Sequence, residues 1–202
     1  LAFLTWASAD QSFSLVGMLV STVVLSIPVT LGALSGLMCE RVAVINIAIE
    51  GQLLTSAFVG TIVGSAANIW VGLIAAVLTG ALLGAVLAVL AIRYLIDQII
   101  AGVVINIFAL GLTSFLARRV LSVEPGLNSP GRFSSIKIPF LGDIPVIGPM
   151  FFDQNMFVYV TFLLVIAIHL GLFYTRWWLR SPSVGEHPKA AYTVGIDVFR
   201  TR

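Results

Sequence analysis

Residues 71–92 read VGLIAAVLTGALLGAVLAVLAI and contain no charged side chain. A helix that crosses the roughly 30 Å hydrocarbon core of a bilayer needs about 20 apolar residues, so this stretch is long enough to span a membrane. Three other stretches meet the same standard, and they are residues 15–38, 99–121 and 157–174. We therefore predict an all-α fold, a polytopic bundle of transmembrane helices.

The composition of the chain supports this class of protein. Of its 202 residues, 59% are hydrophobic and 10% are charged, whereas soluble domains carry about 25% charged residues. The net charge of +2 is scattered along the chain and predicts no nucleic-acid partner. The single cysteine, Cys39, excludes an intrachain disulfide and a cysteine-rich metal site, and we predict no metal.

A fifth apolar stretch, residues 42–67, is interrupted near its start by Asn46, Glu50 and Gln52. We expect this stretch to cross the membrane with a break or a short re-entrant piece at that point. The fragment then makes about five membrane crossings. Three pairs of glycines four residues apart predict closely packed helices. These pairs are Gly32/Gly36, Gly60/Gly64 and Gly80/Gly84.

Two segments are expected to lie outside the bilayer. Residues 122–155 hold five of the eight prolines and predict an external Pro/Gly-rich loop. Residues 176–202 are polar and basic and predict a cytoplasmic loop. This orientation places seven Lys and Arg residues inside and four outside, as the positive-inside rule favours. The chain opens without a methionine and stops within a polar stretch, so we interpret residues 1–202 as a single transmembrane domain truncated at both ends.

The first informative segment is ERVAVINIAIEG, residues 40–51. Asn46 and Glu50 are four residues apart and would share one face of a helix. An ionisable side chain within an apolar span is costly, so it usually faces a cavity or a partner. A carboxylate and an amide on one face would suit the hydroxyl and amide groups of a polar solute. Alternatively, Glu50 caps backbone groups at the break or pairs with an arginine.

The second informative segment is VGEHPKAAYTVGI, residues 184–196, which predicts a very short helix. Proline suits the first helical position, Gly195 suits the residue after the last, and Glu186 complements the N-terminal dipole. A helix of about two turns is marginal alone and needs a surface to dock on. Either a partner protein or the lipid surface would serve. The small apolar face expected to dock consists of Ala190, Ala191 and Val194.

These segments, in this order, resemble the permease subunits of ABC importers for nucleosides and simple sugars, which are related to ribose and branched-chain amino acid permeases. The matching residues are 40–51, then DQIIAG at 97–102 followed by Asn106, then 185–196. The resemblance implies a multi-pass permease in the plasma (inner) membrane of a prokaryote. It also implies three partners: a cytoplasmic ATPase subunit, a second permease subunit in a homo- or heterodimer, and an external solute-binding protein.

The resemblance also implies roles for individual residues. Asn46, Glu50, Gln98 and Asn106 would line the translocation pathway, although Asn106 would serve equally as an interhelical hydrogen bond and Gln98 as a helix start. Residues 185–195 would form the cytoplasmic coupling helix that seats in the ATPase. The coupling residues are Gly185, Glu186, His187, Pro188, Ala190, Ala191 and Gly195.

The chain contains no phosphate-binding Gly-x-x-x-x-Gly-Lys-Ser/Thr loop. We therefore predict that it is not an enzyme, that it has no cofactor of its own, and that its partner subunit binds ATP. The alternative function is an ion-coupled secondary transporter for a small polar solute, in which a broken helix holds the site and Glu50 is the coupled group. The short helix at residues 188–194 favours the ATP-driven importer, because a secondary transporter has no need to present it. The choice between nucleoside and simple sugar stays open.

Overall fold

A computed structural model describes residues 15–142 and 144–201, with the backbone alone at residues 176–179. Asp143 and Arg202, assigned above to the external loop and the cytoplasmic tail, lie outside the described residues. The structure is dominated by α-helices, as predicted. In chain order these are α1 Leu15–Glu40, α2 Ile49–Ala66, α3 Ile69–Ala88, α4 Gln98–Leu121, α5 Met156–Tyr174, α6 Arg176–Glu186, α7 Pro188–Thr193 and α8 Val198–Thr201.

Four of the described helical segments are long and apolar enough to cross a membrane. One of them is α3 together with a π-helical turn, Val89–Arg93, that extends it. These segments coincide with the four apolar stretches of the sequence to within a few residues, so the predicted spans are confirmed. They are Leu15–Glu40, Ile69–Arg93, Gln98–Leu121 and Met156–Tyr174.

Helix α2 corresponds to the interrupted fifth stretch and begins only at Ile49. The residues before it, 41–48, are not helical, which confirms the predicted break near the start of this stretch. With 18 residues and a rise of 1.5 Å per residue, α2 is about 27 Å long. That length is close to the thickness of the hydrocarbon core.

Helices α2 and α3 pack against each other along a stripe of small residues. A Cβ atom on Gly72 would lie 2.6 Å from the carbonyl oxygen of Gly60 and 2.6 Å from the Cα atom of Gly64. Only glycine permits so close an approach, which is a main route to helix association in lipid. Other close contacts of the stripe join Gly60 to Ala76 and Gly80 to Ser56.

The start of α4 is defined by Asp97, whose Oδ1 atom accepts hydrogen bonds from the backbone N–H groups of Ile99 and Ile100 at 2.8 and 3.2 Å. This is the N-cap arrangement that satisfies the free donors of a first helical turn. Beyond the other end of α4, a 3₁₀ turn at Pro125–Asn128 packs on α2. The backbone N–H of Ser129 donates to Ser65 Oγ at 3.0 Å.

The chain divides into two compact units. The first consists of Gly32–Phe133 together with Ile166–Arg202. The second consists of Ser134–Val165 together with the chain up to Leu31. In the second unit, strand β1 (Ser135–Lys137) pairs antiparallel with β2 (Asp153–Asn155), which follows a π-helical turn at Gly148–Phe152. The Tyr159 hydroxyl donates to the carbonyl of Ile136 at 2.8 Å and so ties β1 to α5. The Pro/Gly-rich segment 122–155 therefore contains a small sheet that the sequence did not predict. Its external location stays a prediction.

We expect Gly72→Ala to destabilise the detergent-solubilised protein, because the new Cβ would meet backbone atoms of α2 that cannot rotate away. Overpacking of this kind costs about 1–3 kcal/mol and would lower the Tm. Gly111→Ala is the matched control, since no atom of the described residues lies within 4 Å of a Cβ built there and alanine is the better helix former. Equal melting temperatures for the two variants would contradict the close packing of α2 and α3.

Candidate functional site

The non-helical segment between α1 and α2, residues 41–48, is called the break below. Its side chains Val42, Val44 and Ala48 are buried, and Ala48 belongs to the core cluster that includes Leu87 and Ala101. In the hydrocarbon region an unpaired backbone N–H or C=O group costs several kcal/mol, so non-helical backbone there needs other partners. The break therefore depends on side chains that replace its missing helical hydrogen bonds.

Two amide side chains of α4 supply those partners. Asn106 Oδ1 accepts from the backbone N–H of Gly51 at 2.8 Å, and Asn106 Nδ2 donates to the carbonyl of Ile47 at 2.9 Å. Gln98 Oε1 accepts from the backbone N–H of Ile45 at 2.5 Å. Gln98 and Asn106 are separated by about two helical turns, so they lie on the same side of α4. Both predicted pathway amides are thus engaged in holding the break.

Asn46 and Glu50 do not share one helical face, and that prediction is wrong. Asn46 lies in the break, whereas Glu50 lies in the first turn of α2. Asn46 Nδ2 instead donates to Gln52 Oε1 at 3.3 Å. The remaining polar atoms of this pair, Asn46 Oδ1 and Gln52 Nε2, are buried and have no hydrogen-bond partner among the described residues. Gln52 was not predicted as a site residue, although its polarity within an apolar stretch was the available signal.

The carboxylate of Glu50 is exposed at the surface of this chain. It makes no hydrogen bond or ion pair within the part of the chain that the structure describes, so the predicted pairing with an arginine is not found there. An acidic residue in the first turn of α2 interacts favourably with the positive N-terminal end of the helix dipole. Its position leaves the carboxylate free to meet a solute, water or a second subunit.

The segment predicted as one coupling helix, residues 185–195, is divided in the structure. Gly185 and Glu186 form the end of α6, and α7 begins at Pro188. His187 between them is extended, with φ −138° and ψ 74°, because a residue that precedes proline is disfavoured in the helical region. The predicted details of the short helix are confirmed, with Pro188 at its first turn and Gly195 in the left-handed region at φ +84°.

The exposed face of α7 also differs from the prediction. Ala191 is only 4% exposed, because α7 packs against α6 and α8, so Ala191 is not available to a partner. Ala190 is exposed, as predicted. Tyr192 and Val194 are 73% and 75% exposed. The exposed apolar surface therefore includes Tyr192, which the sequence analysis did not select.

The short helix and the break are in contact through the last turn of α6. A Cβ atom on Gly185 would lie 2.6 Å from the carbonyl oxygen of Arg41, and the neighbouring Val184 is fully buried. The guanidinium carbon of Arg41 lies 6.0 Å from the ring centre of Phe173 on α5, within cation–π range. Ala43, two residues further on, adopts a left-handed conformation with φ 56°. The start of the break is thus held between α5 and α6.

These features define the class of protein: a polytopic helical membrane protein whose broken segment is held by buried amides and is joined to a short helix with an exposed apolar face. The chain belongs to the family described as branched-chain amino acid transport system / permease component, which matches residues 18–202. The predicted resemblance and the predicted plasma-membrane location are confirmed.

Several curated proteins are similar to this chain. The guanosine ABC transporter permease protein NupQ of Bacillus subtilis (strain 168) is 40% identical over 194 residues, which are 90% of this chain and 60% of that protein. The nucleoside ABC transporter permease protein NupC of Lactococcus lactis subsp. cremoris (strain MG1363) is 31% identical, over 88% of this chain and 58% of that protein. The putative glucose ABC transporter permease protein TsgC13 of Haloferax volcanii is 30% identical, over 92% and 56%.

The chain thus spans between 56% and 60% of the length of these relatives. No solved structure matches the chain significantly.

We expect Asn106→Leu to loosen the break, because the variant leaves the carbonyl of Ile47 and the N–H of Gly51 without their partner. Each unsatisfied group costs about 1–3 kcal/mol. Hydrogen-exchange mass spectrometry should show faster exchange in peptides that cover residues 45–52. Peptides from residues 75–85 of α3 are the internal control and should exchange as in the wild type. Unchanged exchange at residues 45–52 would show that the break has other partners.

Proposed function

We propose that this chain is the membrane-spanning permease subunit of an ATP-driven importer for nucleosides or simple sugars. Family membership supports this function. The names of the relatives, which are guanosine, nucleoside and putative glucose permeases, support it as well. The observation that carries it is the contact between Gly185, beside the short helix α7, and Arg41, at the start of the break. A permease subunit that does not hydrolyse ATP itself needs a structural connection between the surface that binds the ATPase and the translocation pathway.

The partners follow from that role. A separate cytoplasmic ATPase subunit binds and hydrolyses ATP, so this subunit is not an enzyme and holds no cofactor. A second permease subunit, identical or related, completes the pathway across the membrane. An external solute-binding protein delivers the solute. The exposed apolar side chains of the membrane-spanning helices provide the surface for lipid and for the second permease subunit.

Within the pathway we assign different tasks to the four predicted residues. Gln98 and Asn106 are positioning residues, because their amides are engaged with the backbone of the break. Asn46 and Glu50 are assigned to the pathway, since no residue that the structure describes pairs with the carboxylate of Glu50 or with Asn46 Oδ1. Gln52 joins them through its hydrogen bond to Asn46.

The mechanism couples closure of the ATPase to movement of the break. The ATPase seats on the exposed face of α7 and moves it when ATP binds. Because α7 packs on α6 and Gly185 of α6 lies against the backbone of Arg41, the displacement reaches the break directly. The hydrogen bonds from Gln98 and Asn106 then pass it to α4. The pathway opens to either side in turn as these helices change position.

We expect Tyr192→Ala to weaken binding of the ATPase to the full-length permease. Truncation of an aromatic anchor at an interface costs about 2 kcal/mol or more, which is a loss of roughly 30-fold in affinity. Co-purification in detergent measures this loss. Tyr174→Ala is the matched control, because Tyr174 is equally exposed, at 75%, but lies at the end of α5.

A Gly/Ser linker in place of residues 188–194 should abolish ATPase binding altogether. Retention of the ATPase by both the Tyr192 variant and the linker variant would refute the assignment of α7.

The ion-coupled secondary transporter remains the second candidate, because the carboxylate of Glu50 is exposed and pairs with none of the residues that the structure describes. We expect uptake into proteoliposomes that hold the complete transporter to require ATP on the ATPase side when all ion gradients are collapsed. Glu50→Gln should change the rate of uptake and keep its dependence on ATP. Uptake driven by a proton or sodium gradient alone, and lost in Glu50→Gln, would favour the second candidate instead.

A further inference from the structure

Residues 138–152, IPFLGDIPVIGPMFF, connect strand β1 to strand β2 and are called the apolar loop below. Asp143 is the only charged residue in this stretch, and every other residue is a large apolar residue, a proline or a glycine. The structure describes all of the loop except Asp143. Connections between strands usually run over a surface in contact with water and are rich in polar residues. The composition of this loop therefore needs another explanation.

The backbone of the apolar loop folds back on itself. The N–H of Gly142 donates to the carbonyl of Ile138 at 2.9 Å. The N–H of Gly148 donates to the carbonyl of Ile144, also at 2.9 Å. Gly142 and Gly148 are buried, and a Cβ atom on Gly148 would lie 2.5 Å from the carbonyl oxygen of Gly142. Near the hydrocarbon region backbone groups need partners within the protein, and this closed backbone provides several of them.

The large side chains of the apolar loop, in contrast, are exposed. Phe140 is 92% exposed, and Val146 and Ile147 are exposed as well. Phe140 and Val146 both adopt the left-handed backbone conformation, with φ +69° and +68°. That conformation is disfavoured for bulky residues, above all for β-branched valine, and such outliers are concentrated at functional positions. A group of exposed apolar side chains is typical of a surface that contacts a membrane or a protein.

Two contacts hold the apolar loop beside helix α5. Gln154 of β2, next to the start of α5, donates from Nε2 to the carbonyl of Pro149 at 2.7 Å. The ring centre of Phe151 lies 6.1 Å from that of Phe162 on α5. Phe162 is six residues beyond Met156, where α5 begins, which is about 9 Å along the helix axis. Phe151 therefore lies next to the membrane-spanning part of α5.

We propose that the apolar loop rests in the membrane surface where α5 begins, with Phe140 and Val146 inserted at the boundary between the headgroups and the acyl chains. Segments that lie in this plane bury their apolar side chains to a depth of about 5–10 Å, which agrees with the position of Phe151 beside Phe162. The inserted loop would anchor the small sheet and fix the height of α5 in the bilayer.

A lipid surface fits the apolar loop better than a protein partner does. The loop continues the exposed apolar surface of α5, which includes Val160 and Leu163. A protein-docking surface carries a polar rim around its apolar centre, whereas Asp143 is the only polar side chain in the sequence of this loop. We therefore assign the loop to lipid, and docking of the external solute-binding protein becomes an outcome of the test.

The test uses the full-length permease alone, reconstituted in vesicles of phosphatidylcholine and phosphatidylglycerol. Native cysteines, Cys39 among them, are replaced by serine, and Phe140→Cys and Val146→Cys are each labelled with the environment-sensitive dye nitrobenzoxadiazole. Both labels should emit at shorter wavelength than in water and be quenched by lipids that carry a nitroxide near the headgroup end of the acyl chain. The lipid control is Leu163→Cys, exposed on α5, and the water control is Glu124→Cys, exposed after α4.

Quenching at Phe140 and Val146 that is close to that at Leu163 and above that at Glu124 would support the inference. Emission and quenching like those at Glu124 would place the loop in water and overturn it. A shift to shorter wavelength without quenching would show that protein covers the loop and would also overturn it. A shift that appears only after the solute-binding protein is added would assign the loop to that partner instead. The measurement needs neither ATP nor a solute, so its outcome is separate from that of the proposed function.

Discussion

The structure depends on the need to satisfy a non-helical backbone within a membrane-spanning bundle. Asn106 meets this need at the break, because its amide accepts from the N–H of Gly51 and donates to the carbonyl of Ile47. Gln98 provides a third hydrogen bond two turns earlier on α4. In lipid each of these backbone groups would otherwise be unpaired at a cost of several kcal/mol. Three hydrogen bonds therefore join the break and the start of α2 to α4, and a displacement of either side would strain them.

The closely packed pair of helices α2 and α3 also supports the break, which contacts α3. Along their contact the backbones approach so closely that Gly72 has no room for a Cβ atom. Helices packed in this way slide or separate less readily than helices joined by long flexible side chains, because the contact consists of backbone atoms. Ala48 of the break packs on this pair through Leu87 of α3. The break is thus packed on α3 and hydrogen-bonded to α4.

The exposed short helix α7 and the break lie at the same end of their compact unit, joined by Gly185 and Arg41. Beyond the break, the hydrogen bonds of Asn106 join this end of the unit to α4. A displacement of α7 would therefore reach α4 through the contact of Gly185 with Arg41 and through these hydrogen bonds.

The sequence by itself determined the membrane class, the four apolar spans, the break and the family. The first three follow from local rules, namely hydrophobic length and polar interruption, and similar rules place Pro188 at a helix start and Gly195 after its end. The family follows from the resemblance of residues 40–51, 97–106 and 185–196 to its permeases. The resemblance also identified Gln98 and Asn106 as residues of interest, because both lie in or beside the matching segment at residues 97–106.

Only the tertiary structure decided what those amides do, because their partners are the backbone atoms of Ile45, Ile47 and Gly51, more than fifty residues away along the chain. For the same reason the sequence mistook Asn46 and Glu50 for one helical face and took Ala191 as exposed. Whether a residue is buried, and which group it hydrogen-bonds, depends on which helices pack together. The spacing of residues along one segment does not contain that information.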